Sequence, residues 1–276
     1  MRILLSITLV LLLFTACSTI EINQKSYVQD QVSAQDSNIV LVSEVKWQQL
    51  NPKRGDKSPK ATNLWGDRLE PGPAGFLVKF VDGFSSPPHI HNFSYRGVVI
   101  NGLIHNDDPA AADMWMPAGS FWTQPAGEVH ITSCKGGCLA YIEIEDGPFR
   151  VHPGGEAYDN GEKPVNIDKS NLVWLNSSDK FQTSGAEVSY LRGSPQKGQL
   201  SGSMLKLPPG FDGNVGNENS SFQLVVIQGQ LGYKLPTKKN ETKIGPGGYL
   251  FFSENSLNKV SCQSKEDCLV YVRTKQ

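Results

Sequence analysis

Apolar residues along the chain fall in short runs rich in Val, Ile, Phe and Tyr, such as "YRGVVINGLI" (95–104), "CLAYIEI" (138–144) and "FQLVVI" (222–227). Glycine, proline, asparagine or aspartate interrupts them at close intervals. Ile142 and Ile144 alternate with Glu143 and Glu145, the period of a strand with one wet face. In "GSFWTQPAGEVH" a strand, a turn holding Pro125 and Gly127, and a second strand follow one another. Outside the first twenty residues no stretch keeps a convincing helical period. With 27 Gly and 17 Pro in 276 residues, this patterning predicts an all-β chain with many turns. That length allows one large domain or two of ordinary size.

The pattern is also written twice. At an offset of 127 positions Trp47 meets Trp174, Leu64 meets Leu191, Gly66 meets Gly193 and Gly75 meets Gly202. Lys79, Gly83, Phe84, Val98, Val99, Ile100 and Gly102 likewise meet Lys206, Gly210, Phe211, Val225, Val226, Ile227 and Gly229. Further on the register slips by two or three residues, so that "CLAYIEI" faces "CLVYVRT". Solenoid repeats are far shorter, so a period of this length predicts two tandem domains.

The two ends of the chain change where it is expected to work. Residues 1–17, "MRILLSITLVLLLFTAC", carry one positive charge and an apolar core too short for an ordinary membrane span. "FTAC" resembles the lipobox of bacterial lipoproteins, with Phe14 where leucine is usual. The resemblance implies cleavage before Cys17, acylation of that residue, and a lipid-anchored protein in the bacterial cell envelope, facing the periplasm or the outer surface. A plain signal peptide with an incidental cysteine is the alternative. Residues 18–40 are polar and aperiodic, as a flexible tether should be. In an oxidising compartment Cys134, Cys138, Cys262 and Cys268 are expected to pair. Of three connectivities the local ones, Cys134–Cys138 and Cys262–Cys268, are favoured, because each repeat carries its own pair at the same place; zinc is the alternative. Lys and Arg number 26 against 27 Asp and Glu, with no basic block, so nucleic acid is not an expected partner.

His89 and His91 lie two apart, so on a strand both face one way. Gly83, His89, His91 and Gly102 fall in register on the first motif of the cupin superfamily, G-x5-H-x-H-x3,4-E-x6-G. Gly119, Pro125, Gly127 and His130 fall on its second motif, G-x5-P-x-G-x2-H-x3-N. Most of the chain therefore resembles a bicupin of an uncharacterised bacterial family. The resemblance implies two small antiparallel barrels of the double-stranded β-helix type, an N-terminal one over 41–160 and a C-terminal one over 161–276.

The same resemblance makes His89, His91 and His130 the ligands of one divalent transition metal, Fe(II), Ni(II), Zn(II) or Cu(II), in the N-terminal barrel. Tyr95 stands where the motif has Glu, and Cys134 where it has Asn. A three-histidine set without a carboxylate leaves coordination positions open and favours an anionic chelator. Three-histidine cupins include dioxygenases that cleave β-diketones, so a dioxygenase acting on an enolate-like or diketone-like small molecule is the leading expectation. A metal-dependent isomerase or lyase is one alternative, and an envelope protein that binds a metabolite or metal without catalysis is another. In the second repeat the ligand positions read Gly216, Glu218 and Lys259, so no metal is expected there.

Tyr95, His105 and Glu143 are candidate catalytic residues: Tyr95 as a hydrogen-bonding group beside the ligand, His105 as a proton carrier, Glu143 as a base if its face lines the barrel. Trp115, Trp122, Phe80 and Phe93 could shape a pocket, and Trp65, Asp67 and Arg68 a substrate clamp. His152 falls in a linker-like stretch. Binding needs unprotonated imidazole, so metal should leave as pH falls through roughly 6. A homo-oligomer is compatible with the sequence.

Overall fold

A computed structural model describes residues 37–177, 183, 185–194, 199–215, 221–234, 240–253 and 258–275. The leader, Cys17 and the tether through residue 36 lie outside them, as do Gly216 and Glu218. Among the described residues the regular structure is strand, relieved by three short 3-10 turns at Pro52–Lys57, Gly154–Glu156 and Lys169–Asn171.

Two seven-stranded antiparallel sheets carry the fold. The first runs, in spatial order, Val165–Ile167, Phe121–Gln124, Tyr95–Asp107, Ile131–Ile144, Ala74–Phe80, Lys60–Trp65 and Gln48–Gln49. The second runs Ser37–Val40, Tyr249–Phe252, Ser221–Gln228, Cys268–Lys275, Leu200–Leu207, Glu187–Gly193 and Leu175–Asn176. Six of the seven places are filled by corresponding strands of the two repeats. At the remaining edge the repeats exchange: Val165–Ile167 pairs with Phe121–Thr123 of the first repeat, and Ser37–Val40 pairs with Tyr249–Phe252 of the second. The segment expected to be tether through residue 40 thus ends in a strand, and three residues assigned to 161–276 close the other repeat's sheet. Edge strands leave one row of backbone groups unpaired, and the exchange covers one such row on each sheet.

A four-stranded sheet, Asp212–Val215, Asn258–Cys262, Leu231–Tyr233 and Thr242–Ile244, forms the far wall of the C-terminal barrel. In the N-terminal barrel the two longest strands bend over to supply that wall. Pairing of Tyr95–Asp107 with Ile131–Ile144 shifts register between Val99 and Asn101 and again between Asn101 and Leu103. Gly102 sits at this bend with φ 76°, and a Cβ there would come within 2.7 Å of the Gly137 carbonyl. Glycine is needed on both counts.

Each barrel has its own apolar interior, and a third apolar layer lies between the two large sheets. Val99, Ala140 and Ile142 point into the first barrel, and Leu224, Val270 and Val272 into the second. Residues of the opposite parity, Val98, Tyr141, Val225 and Tyr271, pack between the sheets. Both faces of these strands are dry, so their sequences read as continuous apolar runs rather than alternations.

Glu143 lies in this middle layer, fully buried. It is neither on a wet face nor lining the barrel, the two alternatives its sequence allowed. Its carboxylate accepts from Arg192, from Arg273 Nε at 3.2 Å, and from the hydroxyls of Tyr141 and Tyr271 at 3.3 Å. Glu143 and Arg273 hold corresponding places in the two repeats, as do Tyr141 and Tyr271, so the pairing is a contact between repeats at their matching positions. Glu145, half-exposed, bridges Arg192 at 2.9 Å and Arg96 at 3.0 Å. Cys134–Cys138 and Cys262–Cys268 are both bonded, the first within the strand Ile131–Ile144 and the second joining the end of Asn258–Cys262 to the start of Cys268–Lys275.

Candidate metal centre

His89 and His91 lie on the three-residue strand His89–His91, which pairs with Val151–Pro153. His130 sits across from His89, and the two exchange both backbone hydrogen bonds at 3.0 Å, which puts their side chains on the same face. The stretch containing His152, expected to be linker, therefore begins as the strand that fixes the histidine pair. His152 itself is partly exposed and lies 3.2 Å from the Glu156 carboxylate.

One ring nitrogen from each of His89, His91 and His130 lies within 4.8 Å of the others, and among the described residues no carboxylate joins the group. The ring centroids are 4.2 to 5.3 Å apart. In each ring Nδ1 faces a backbone carbonyl: Pro87 at 2.9 Å from His89, Arg150 at 3.1 Å from His91, Glu128 at 3.2 Å from His130. A carbonyl only accepts, so each Nδ1 carries the hydrogen and each Nε2 keeps its lone pair. A backbone carbonyl holding one ring nitrogen so that the other is free to coordinate is a common support of histidine metal sites. The donor set therefore fits a transition metal.

Burial holds all three rings neutral. His130 is fully buried and its pKa falls to about 3, through desolvation and then the neighbouring His89. Desolvation, with His130 and His89 adding to it, lowers His91 well below the usual range. His89, at the mouth, is lowered by desolvation against a smaller opposing effect of the Pro87 carbonyl. The loss of metal expected near pH 6 from an ordinary imidazole therefore moves to lower pH.

Tyr95, at the motif position where glutamate is usual, lies beside the centre. Its hydroxyl donates to Asn106 Oδ1 at 3.0 Å and lies 3.3 Å from His130 Nε2. Burial raises its pKa, so it stays protonated. Asn106 also accepts from the Thr132 hydroxyl at 2.8 Å and donates to Gln124 Oε1 at 3.0 Å. Phe149 stacks on His91 with centroids 4.3 Å apart.

His105 and Glu143 do not join the site. His105 accepts the Met114 N–H at 3.2 Å on Nδ1 and packs against Trp115. Its strand neighbours Ile104 and Asn106 are the ones that face inward. The register shifts between Val99 and Leu103 explain this: on an unbroken strand residue 105 would share the face of Tyr95, and the bulges put residue 106 there instead. Asn106, Thr132, Gln124 and Phe149 were not singled out from sequence: the bulged register brings Asn106 and Thr132 round to Tyr95, Gln124 comes from the neighbouring strand, and Phe149 from the segment after Ile131–Ile144.

The remaining candidates divide. Trp122 is buried against Tyr95 inside the barrel. Phe80 lies at the edge of that core, stacked near Phe84. Trp115 is outside, under the Lys135 ammonium. Arg68 donates to Asn63 and Gln48, and Asp67 caps its own turn, so "WGDR" is a braced turn rather than a clamp. Lys259, the counterpart of His130, is exposed and pairs with Asp212 at 2.7 Å.

The fold matches solved structures over most of its length. A provisionally assigned dioxygenase from Nostoc punctiforme is similar at TM-score 0.66, with 17% identity over 88% of this chain and 83% of that one. An oxalate decarboxylase from Lactobacillus farciminis, solved with formate, matches at TM-score 0.54, with 11% identity over 86% of each chain. Hazelnut vicilin matches at TM-score 0.56, with 10% identity over 86% of this chain and 85% of that one. At these identities the likeness shows the fold, which is all-β with two tandem cupin barrels. No curated protein sequence matches the chain. Residues 38–276 match the family model described as a domain of unknown function, DUF4437, and the chain belongs to that family.

Proposed function

We propose that the protein is a metal-dependent enzyme acting on a small organic anion, and that its reaction is the dioxygenation of an enolate-like or diketone-like substrate. The observation that carries this reading is the shared tautomer of His89, His91 and His130: three backbone carbonyls leave three Nε2 lone pairs free, on rings whose ligand atoms lie within 4.8 Å of one another. A bound Fe(II), Ni(II), Zn(II) or Cu(II) would supply Lewis acidity, open coordination positions and a net positive charge that no carboxylate offsets.

The chain's own residues then have defined work. The three imidazoles orient the ion, and their depressed basicity keeps them available to it. Tyr95 has its proton committed to Asn106, so toward a bound molecule its oxygen presents lone pairs. Phe149 and Trp122 exclude water around Tyr95 and His91. Isomerase or lyase chemistry would require a base at the site, and Glu143 and His105 are both engaged elsewhere. The assigned activity of the Nostoc punctiforme protein points the same way by analogy of fold. The leader sequence supports a lipid-anchored location in the bacterial envelope through Cys17. The membrane would then be a partner only through that anchor.

Elemental analysis of the chain from Ser18 onward should give about one metal per chain, and His130→Ala should give nearly none. A ratio near one that survives loss of His130 overturns the three-histidine centre. Oxygen uptake by the metal-loaded protein should appear with at least one of acetylacetone, a flavonol or catechol. Uptake with none of them refutes the oxygenase and leaves a protein that binds without turnover.

A further inference from the structure

The polar contacts around His130 close into a ring that begins and ends on one backbone carbonyl. The Glu128 carbonyl faces His130 Nδ1 at 3.2 Å and Gln124 Nε2 at 3.1 Å. Gln124 Oε1 faces Asn106 Nδ2 at 3.0 Å, and Asn106 Oδ1 faces the hydroxyls of Tyr95 at 3.0 Å and Thr132 at 2.8 Å. The Tyr95 hydroxyl then returns to His130 Nε2 at 3.3 Å. Two ladder pairs build this arrangement, Tyr95 opposite Gln124 and Asn106 opposite Thr132. His130, Asn106 and Gln124 are 2% exposed or less, so bulk water does not compete for these bonds.

A carbonyl can only accept, and that fixes the direction of every bond in the ring. His130 Nδ1 and Gln124 Nε2 must both donate to Glu128. Gln124 then has only its oxygen for Asn106, so Asn106 donates its amide and has only its oxygen for Tyr95. Tyr95 must therefore give its one proton to Asn106. The closing contact, from Tyr95 to His130, is left without a hydrogen. On one side stands an oxygen whose proton is spent, on the other a nitrogen whose ring is protonated at its far end.

We propose that Asn106 and Gln124 are positioning residues of the metal centre: by holding the Tyr95 proton they keep it off His130 Nε2 and leave that nitrogen to the metal. This rests on the reading of His89, His91 and His130 as the ligands. Buried hydroxyls do not leave their protons unbonded. Without the Asn106 oxygen, Tyr95 would turn its proton to the acceptor already 3.3 Å away, His130 Nε2. Thr132 loses the same acceptor and also lies against Tyr95, so its proton can follow onto the Tyr95 oxygen. A metal would then have to break the Tyr95–His130 bond before it could bind.

Zinc affinity, read by competition with a colorimetric chelator, tests this. Asn106→Leu keeps the branching of the side chain and removes its acceptor. It should bind zinc about tenfold more weakly than wild type, the cost of breaking one hydrogen bond to free Nε2. Adding Tyr95→Phe to that variant removes the competing proton and should restore most of the loss, which a merely structural role for Asn106 would not do. Equal affinity in Asn106→Leu and wild type, or a double variant as weak as the single one, overturns the proposal while leaving the metal centre standing. A wild type that binds no zinc overturns the reading of the centre itself. A second measurement does not depend on any variant folding. Nitrogen NMR of the metal-free wild type at neutral pH should show His130 protonated on Nδ1, with Nε2 free of any hydrogen bond. An Nε2 that carries or accepts a proton overturns the proposal.

Discussion

Neutralising Glu143 tests the account of the two-barrel interface. The carboxylate is fully buried, and Arg192 and Arg273 beside it are exposed by only 11% and 14% of their side chains. At 3.2 Å the attraction to Arg273 alone is about 5 kcal/mol for an effective dielectric of about 20, much of it offset by the desolvation of both groups. In Glu143→Gln the amide oxygen can still accept from one arginine and the tyrosine hydroxyls can turn to accept from its NH2. What is lost is the counter-charge for two buried guanidinium groups, and Glu145 reaches only Arg192. The expected cost is about 3 kcal/mol, or a fall of ~10 °C in Tm for a chain of this size. Calorimetry and urea unfolding measure it, with Glu145→Gln as a control that should cost under about 1 kcal/mol because that carboxylate is half-exposed. Metal content should be unchanged in both. A Glu143→Gln protein within about 1 kcal/mol of wild type refutes the interface argument. One that keeps its Tm but loses metal would return Glu143 to the metal site.

Two further outcomes follow from the buried site. His130 has a folded pKa of about 3 against about 6.5 when unfolded, so below pH 6.5 the unfolded chain binds the extra proton. The metal-free protein should therefore lose stability as pH falls from 6.5 toward 3, by about 2 kcal/mol at pH 5 from His130 alone, and the loss should shrink by about that amount in His130→Phe; denaturation of both proteins at pH 7 and pH 5 would show it, and an equal loss in the two would count against it. Gly97→Ala should displace the Trp122 indole, since the new methyl would fall 2.1 Å from the ring, at a cost of about 2 kcal/mol. A stability within about 0.5 kcal/mol of wild type and an unaltered tryptophan emission would contradict that packing.

Much of this molecule was legible in one dimension. Periodicity and turn residues are local properties, so the all-β class and the doubled architecture could be read directly. The Cys134–Cys138 and Cys262–Cys268 pairs span only a few residues each, and both are bonded. His89, His91 and His130 stand at fixed spacings because short strands and a tight turn hold them, and the structure brings their rings together. Tyr95 is marked by its place in the motif, where glutamate is usual.

Tertiary structure decided the rest wherever parity broke or partners came from afar. Register shifts between Val99 and Leu103 turned His105 out and Asn106 in, and Gly102 marks the bend without telling which residues beyond it face inward. Glu143 looked like a wet-face residue because alternation cannot distinguish solvent from a second barrel; its cations come from Arg192 and Arg273 of the other repeat. The exchange of Ser37–Val40 and Val165–Ile167 between sheets is likewise invisible to a repeat offset, which records equivalence and not pairing. The depressed basicity of the three histidines is a property of burial, and burial belongs to the closed barrel rather than to any stretch of the chain.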